Sequence, residues 1–307
     1  MSRNCGSTFA MMTLSRRLFI KSAGGTIATA AGFFGLVDQD TYAHVLDVPV
    51  GLALYTIKDE LQRDLEGVLR KVAVMGFREV EYISLPGRTA AEVRLALDSA
   101  GLRAISVHVS ATDLLANLGR KLEEAQVLGA RYVICPFPHL AALSHPKDLT
   151  LDDWRRNAEF LNGIGGKTQK ANLQFGYHNH NMEFRRFGRV VAYDELLRLT
   201  DPELVTMELD CGWVVNAGAD PAYYLSTYPG RFQLLHLKDL KRGSVPTTEL
   251  EIMCTEVGGG IIDWRRIFAV ARKGGVKHCF IGQDPPFERS SLESVKLSYA
   301  WLQGLSS

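Results

Sequence analysis

"VGLALYTIKDEL" occupies Val50–Leu61. An apolar run, Val50–Tyr55, passes through Thr56-Ile57-Lys58-Asp59 directly into a segment of helical periodicity. No glycine stands at that turn. An open, doubly wound sheet places a glycine-rich phosphate turn there, after its first strand. Its absence turns the reading toward the other architecture of repeated strand–helix units, the closed barrel.

The rest of the chain repeats the same unit. Short apolar runs read as buried parallel strands: Val50–Tyr55, Glu79–Ile83, Ala104–Val109, Tyr132–Pro136, Leu173–His178, Leu204–Asp210, Phe232–Leu237 and His278–Gln283. Between them lie helical patterns at Leu61–Val74, Ala90–Ala100, Leu115–Leu128 and Leu151–Ala171. Four more follow at Tyr193–Leu199, Ala222–Thr227, Trp264–Ala271 and Leu292–Leu302. Asp152 and Asp263 are expected N-caps, and Gly76, Gly101 and Gly129 stand where helices should stop. Eight alternations without a linker or short repeat predict a single α/β (β/α)8 TIM barrel over residues 44–307, a fold for which ~250 residues is typical.

Residues 1–43 read differently. Ser15-Arg16-Arg17-Leu18-Phe19-Ile20-Lys21 precedes a glycine-containing apolar run, Ser22–Val37, and then Ala43. A twin arginine followed by such a run predicts a twin-arginine export signal. The run is short beside the ~20 apolar residues of a membrane span. The expectation is therefore an exported, periplasmic protein with no stable span once the signal is removed. The signal carries four of the 35 basic and two of the 34 acidic residues, which leaves a mature net charge near −1. That gives no electrostatic footprint for nucleic acid. Cys135, Cys211, Cys254 and Cys279 remain, without C-x-x-C spacing, and three of them lie in apolar runs. Buried thiols are expected.

Barrel enzymes carry their chemistry at the C-terminal ends of the strands. Those ends offer Glu81, His108, His178 with His180, Asp210, His236 with Lys238, and Asp284. Residues two apart on a strand share a face. In Met207-Glu208-Leu209-Asp210 the apolar pair faces the helices, so both carboxylates face the axis. In Leu234-Leu235-His236-Leu237 the imidazole faces inward with Leu234. His178, Asp210 and His236 then point at one space from adjacent strands. Imidazoles with a carboxylate suit a divalent Mn, Zn, Fe or Co ion. A hydrogen-bonded strand end would explain any one of them alone. Glu208, one layer below Asp210, is expected to pair with a rim histidine or lysine, because a lone buried carboxylate is costly. Tyr55, Trp213, His180 and Glu81 are candidate substrate contacts. Gly258-Gly259-Gly260 reads as a turn or a phosphate cradle.

Seven motifs in order carry a resemblance: "LALYTIKDEL" (52–61), "GFREVEY" (76–82), "YHNHNMEF" (177–184), "MELDCGWVVNAGADP" (207–221), "LLHLKD" (234–239), "VGGGIIDW" (257–264) and "FIGQDPP" (280–286). The chain resembles the sugar phosphate isomerase/epimerase superfamily with its xylose isomerase-like TIM barrel. That resemblance implies a divalent ion held by Glu, Asp, His and Glu from strands five to eight. Asp210 and His236 match. His178 stands at the first position, and Gly282 at the last, where relatives often read V-E-Q-D. Asp284 or Glu183 is a candidate replacement ligand. In relatives the two glutamates also form a two-base pair, so their loss implies a one-base reaction: isomerisation, or elimination or hydration on a keto-sugar. His178, His108 or Lys238 is the candidate base. The competing expectation is a sugar-binding barrel impaired in catalysis by the missing glutamate. A small carbohydrate is the expected partner, and an oligomer is compatible with the sequence.

Overall fold

The computed structural model describes residues 44–45, 48–139 and 148–306. The expected export signal, residues 1–43, lies outside the described residues. Among the described residues, eight parallel strands form the barrel: β1 Val48–Ala53, β2 Glu79–Ile83, β3 Arg103–His108, β4 Tyr132–Cys135, β5 Gln174–His178, β6 Val205–Asp210, β7 Phe232–Leu237 and β8 His278–Ile281. Each pairs with the next, and β8 pairs with β1. The ring is thus closed by the predicted order. A two-residue strand, His44–Val45, runs antiparallel to the start of β1.

Side-chain parity divides the core in two. Ala53, Tyr132, Ile134, Leu234 and Phe280 pack together as one cluster. Met207, Leu209, Leu235 and Leu237 belong to the larger cluster between sheet and helices. This is the alternation expected for β6 and β7, and it leaves Glu208, Asp210 and His236 facing the axis.

The helices differ from expectation at their ends, for local reasons. The pattern 61–74 is two helices, Lys58–Arg63 and Leu65–Val74. Asp64 takes an extended conformation between them, and its carboxylate caps the second by accepting from Gly67 N at 2.9 Å. Asn117, whose side chain caps neither helix, breaks the 115–128 pattern into Ala111–Ala116 and Leu118–Leu128. Thr150, not Asp152, caps Leu151–Lys170, in a capping box with Asp153. Asp263 does cap Trp264–Gly274. Gly101 and Gly129 end their helices in the left-handed region. No helix among the described residues is long and apolar enough to cross a membrane. The four cysteines of the barrel are free and buried.

Candidate active site

Residues at or just beyond the strand ends, with Trp213 of the segment after β6, border one cavity of about 350 Å3. His108, Glu81, His178 and His236 line its inner end; Tyr55, Phe137 and Leu250 stand at its outer end, each more than a third exposed. The parallel register sets Glu208 of β6 level with His178 of β5, and Asp210 level with His236 of β7. Glu81 and Ser106 are level on β2 and β3.

Two buried glutamates hold the three inner histidines. Glu208 Oε2 lies 2.9 Å from His108 Nε2 and 2.9 Å from His178 Nδ1. Glu81 Oε1 lies 2.7 Å from His236 Nε2 and 2.9 Å from His108 Nε2. Ser106 Oγ donates to Glu81 Oε2 at 2.6 Å. Glu208 therefore points inward onto rim histidines. Asp210 stands above them. Its Oδ1 accepts from Trp213 N at 3.0 Å and so caps a short helix, Cys211–Asn216, that the sequence reading missed. Its Oδ2 is 2.8 Å from Lys238 Nζ, whose other partner is Asp284 at 2.6 Å.

The electrostatics follow from burial and pairing. Burial would lower His108, yet Glu81 and Glu208 raise it to about 9. His236 is raised well above the usual imidazole range, because the same two carboxylates outweigh its burial. Glu81 stays well below the carboxylate range despite burial, held by His108 and His236. Burial and the neighbouring Glu81 push Glu208 up to about 7. His178 is lowered well below its ordinary value by burial and by His236 and His108. His180 falls to about 3 through burial and Lys238. Asp210 is about 2, since Lys238 overcomes burial, and Lys238 is itself raised by Asp210 and Asp284.

These facts correct several expectations. Lys238 is an ammonium clamped between two carboxylates, so it has no free lone pair with which to act as the base. His108 is held protonated by two glutamates and is likewise no base. Glu81 lines the cavity, but its oxygens are spent on His236, His108 and Ser106 rather than on a substrate. Glu183 is no replacement ligand: it accepts from Tyr177 Oη at 2.6 Å and from His180 N at 3.0 Å, and braces the loop. Gly282 offers little space, since a Cβ there would lie 3.1 Å from His236 Nδ1. Tyr55, His180, Trp213, His178, Lys238 and Asp284 do line the cavity. The glycine run is no phosphate cradle. Gly258 N, Ile261 N and Ile262 N all donate to the Asp239 carboxylate, which is buried.

Two groups of donors suit a cation. In the lower one, one atom each of His108, His178, Glu208 and His236 lie within 4.8 Å of one another. There Glu208 Oε2 already meets His108 Nε2 and His178 Nδ1 at 2.9 Å each, and His236 Nε2 stands 3.5 Å away. In the upper one, His178 Nε2 and His236 Nδ1 face Asp210 Oδ2 at 3.7 and 3.6 Å. Those separations are too long for hydrogen bonds. They approach the roughly 3.4 Å between donors that share one tetrahedral ion through ~2.1 Å bonds. Each histidine has its other nitrogen on a buried glutamate, the usual support of a metal-binding imidazole. Asp284 remains as a partner for Lys238, so releasing Asp210 to an ion would not strand the ammonium. An ion would replace the proton on His236 Nδ1. The upper group fits.

A family model described as xylose isomerase-like TIM barrel matches residues 69–303. Inosose dehydratase from Bacillus cereus (strain AH820) is 30% identical over 156 residues, which are 45% of this chain and 52% of that protein. The chain thus spans about half the length of the curated relatives it matches. A sugar phosphate isomerase/epimerase structure from Parabacteroides distasonis ATCC 8503 is 25% identical with a TM-score of 0.69, over 82% of this chain and 96% of that one. The IOLI protein, solved with a binding zinc atom, is alike in fold alone: 10% identity and a TM-score of 0.67, over 84% and 96% of the two chains. With a family model matched along most of its length and its barrel closed in the family's order, this chain belongs to the xylose isomerase-like TIM barrel family.

Proposed function

We propose that the chain is a carbohydrate enzyme that removes a proton beside the carbonyl of a keto-sugar and then expels a neighbouring oxygen. The observation that carries this reading is the convergence of His178 Nε2, His236 Nδ1 and Asp210 Oδ2 beside a carboxylate–ammonium pair, Asp284 and Lys238, 2.6 Å apart. A divalent Mn, Zn, Fe or Co ion on those three donors would polarise the carbonyl and acidify the adjacent C–H. Asp284 takes the proton. Lys238 gives one to the departing hydroxyl, which leaves as water. The carboxyl then returns its proton to the amine across their contact. His178 serves as a donor to the ion rather than as the base, because Glu208 holds its Nδ1. Among the described lining residues Asp284 is the one carboxylate not held by histidines, so a symmetric epimerisation, which needs two bases, is disfavoured. If the oxygen stays, returning the proton to the next carbon gives an isomerase instead. The inosose dehydratase likeness favours elimination.

Incubation with keto- and aldo-sugars in D2O, followed by NMR, tests this. Deuterium should enter the carbon beside the carbonyl, with loss of water from the keto-sugar, and Asp284→Asn should abolish both. A chain that binds sugars yet exchanges no proton would leave the second reading, a binding barrel without catalysis. The clamp of Lys238 on Asp210 favours that one. We further propose that residues 1–43 direct export; N-terminal sequencing of the protein from periplasmic extract should begin near residue 44, and an uncleaved cytoplasmic chain would refute it.

A further inference from the structure

We propose that the cavity takes an uncharged sugar bearing an apolar or aromatic substituent, and rejects phosphorylated sugars; this rests on the carbohydrate reading above. A buried phosphate needs an arginine or lysine fork, or free backbone N–H groups at a turn or helix start. The described lining includes no arginine. Its one lysine, Lys238, is held by Asp210 and Asp284. Its imidazoles His108 and His236 are held by Glu81 and Glu208. The helix that starts at the rim has its Trp213 N–H turned onto Asp210. The amides of the 258–262 turn are spent on Asp239. Among the described lining residues each cationic side chain is thus already paired with a carboxylate, and Asp284 would repel the dianion.

The outer half of the cavity argues for what does bind. Tyr55 is 39% exposed, Phe137 38% and Leu250 40%, and all three border the opening. From Phe137 a wall of rings runs inward. Phe137 stacks on His180 with centroids 4.2 Å apart, and His180 meets Trp213 at 5.1 Å. His180 thus presents a ring between Phe137 and Trp213 in that wall. Its Nδ1 is buried without a partner, and it lines the cavity, where a sugar hydroxyl can meet it. The order of the strands sets Tyr55, after β1, across the mouth from Phe137 and His180, after β4 and β5. A sugar ring seated at the inner histidines would place an outward substituent between these aromatic faces. Such contacts bury surface that a bare sugar leaves wet.

Calorimetric titration of the full chain with phenyl and methyl β-glycosides of glucose, galactose and xylose, and with glucose against glucose 6-phosphate, tests the inference. For whichever sugar binds, the phenyl glycoside should bind roughly three- to tenfold tighter than the methyl glycoside, the range expected of one aromatic contact. Glucose 6-phosphate should bind more weakly than glucose. In Phe137→Ala the phenyl-to-methyl ratio should fall towards one. Equal affinity for both glycosides, a ratio unchanged in Phe137→Ala, or tighter binding of the phosphate would overturn the inference alone. Binding of no sugar at all would overturn the carbohydrate reading with it.

Discussion

Asp239 follows the active-site lysine, but the structure spends it on the loop that closes over the end of β7. Its carboxylate accepts from five donors: Leu240 N, Gly258 N, Ile261 N, Ile262 N and Trp264 Nε1, at 2.8–3.1 Å. Gly260 must be glycine for this, since a Cβ there would lie 2.1 Å from Asp239 Oδ1. In Asp239→Ala four of the five donors lose their partner, while Ile261 N keeps its bond to Leu240 O at 3.1 Å. Two of the bonds, from Leu240 N and Trp264 Nε1, are buried and cannot be replaced by water. Each orphan of that kind costs about 1–3 kcal/mol. Of the partly buried amides, Gly258 N and Ile262 N can hydrate once the loop loosens, at about 0.5 kcal/mol each, the lower end for a lost hydrogen bond. The sum is about 3–7 kcal/mol, a large share of the roughly 5–15 kcal/mol of an ordinary domain. Asp239→Asn keeps one acceptor oxygen and should lose about half as much. Urea unfolding of the three proteins, followed by circular dichroism, measures both differences. A loss below about 1 kcal/mol in the alanine variant would refute the reasoning, because loop amides that cheap to orphan cannot be organised by this carboxylate.

Other changes should act through contacts as specific. A Cβ on Gly212 would lie 2.7 Å from Lys238 O and 2.8 Å from its Cβ and Cγ. Gly212→Ala should therefore cost about 1–3 kcal/mol and displace Lys238, lowering proton exchange at least about tenfold; unchanged stability and exchange would sink that account. Burial raises Glu183 to about 7. Its contribution to stability is thus complete below the ordinary carboxylate range and lost as pH rises through 7. Urea midpoints at pH 5 and 8 should diverge between wild type and Glu183→Gln by about 1 kcal/mol or more, and parallel shifts would contradict this. Glu195 is lowered to about 2 by its bonds from Arg198 and Arg155. That contribution is present above pH 4.5 and lost as pH falls through 2. Both arginines are exposed, so solvent screening limits it to about 1 kcal/mol. Glu195→Gln should lose that much at pH 7 and nothing at pH 2, which thermal melts at the two pH values would check.

The barrel was legible because each strand's parity had two independent readers. Leu209 and Leu235 mark the helix side, and Glu208, Asp210 and His236 the axis, so the sequence alone places these three at the rim. Their places at strand ends also put Glu81 and His108 at the rim. What one-strand reasoning did not give was their pairing: Glu81 reaches His236 across 155 residues of sequence and His108 reaches Glu208 across 100. Those bonds turn His108 from a base into a fixed cation. The helix Cys211–Asn216 was hidden because a glycine and adjacent valines are poor helix formers. It exists because Asp210 caps it and Gly212 lets it approach Lys238. Phe137 gave no periodic signal, since its place at the mouth depends on stacking against His180. The role of Asp239 depends on amides some twenty residues later, which no local pattern connects to it.

The central claim is that His178, Asp210 and His236 together hold one divalent ion. Elemental analysis of the purified full chain, dialysed and then reloaded with Mn, Zn, Fe or Co, tests it directly against Asp210→Ala and His236→Ala. The account predicts about one tightly held ion per wild-type chain, and at least about a hundredfold weaker binding in either variant, a loss greater than removing a supporting residue would cause. A wild-type chain that retains none of the four ions, or variants that hold the ion as tightly as wild type, would contradict it.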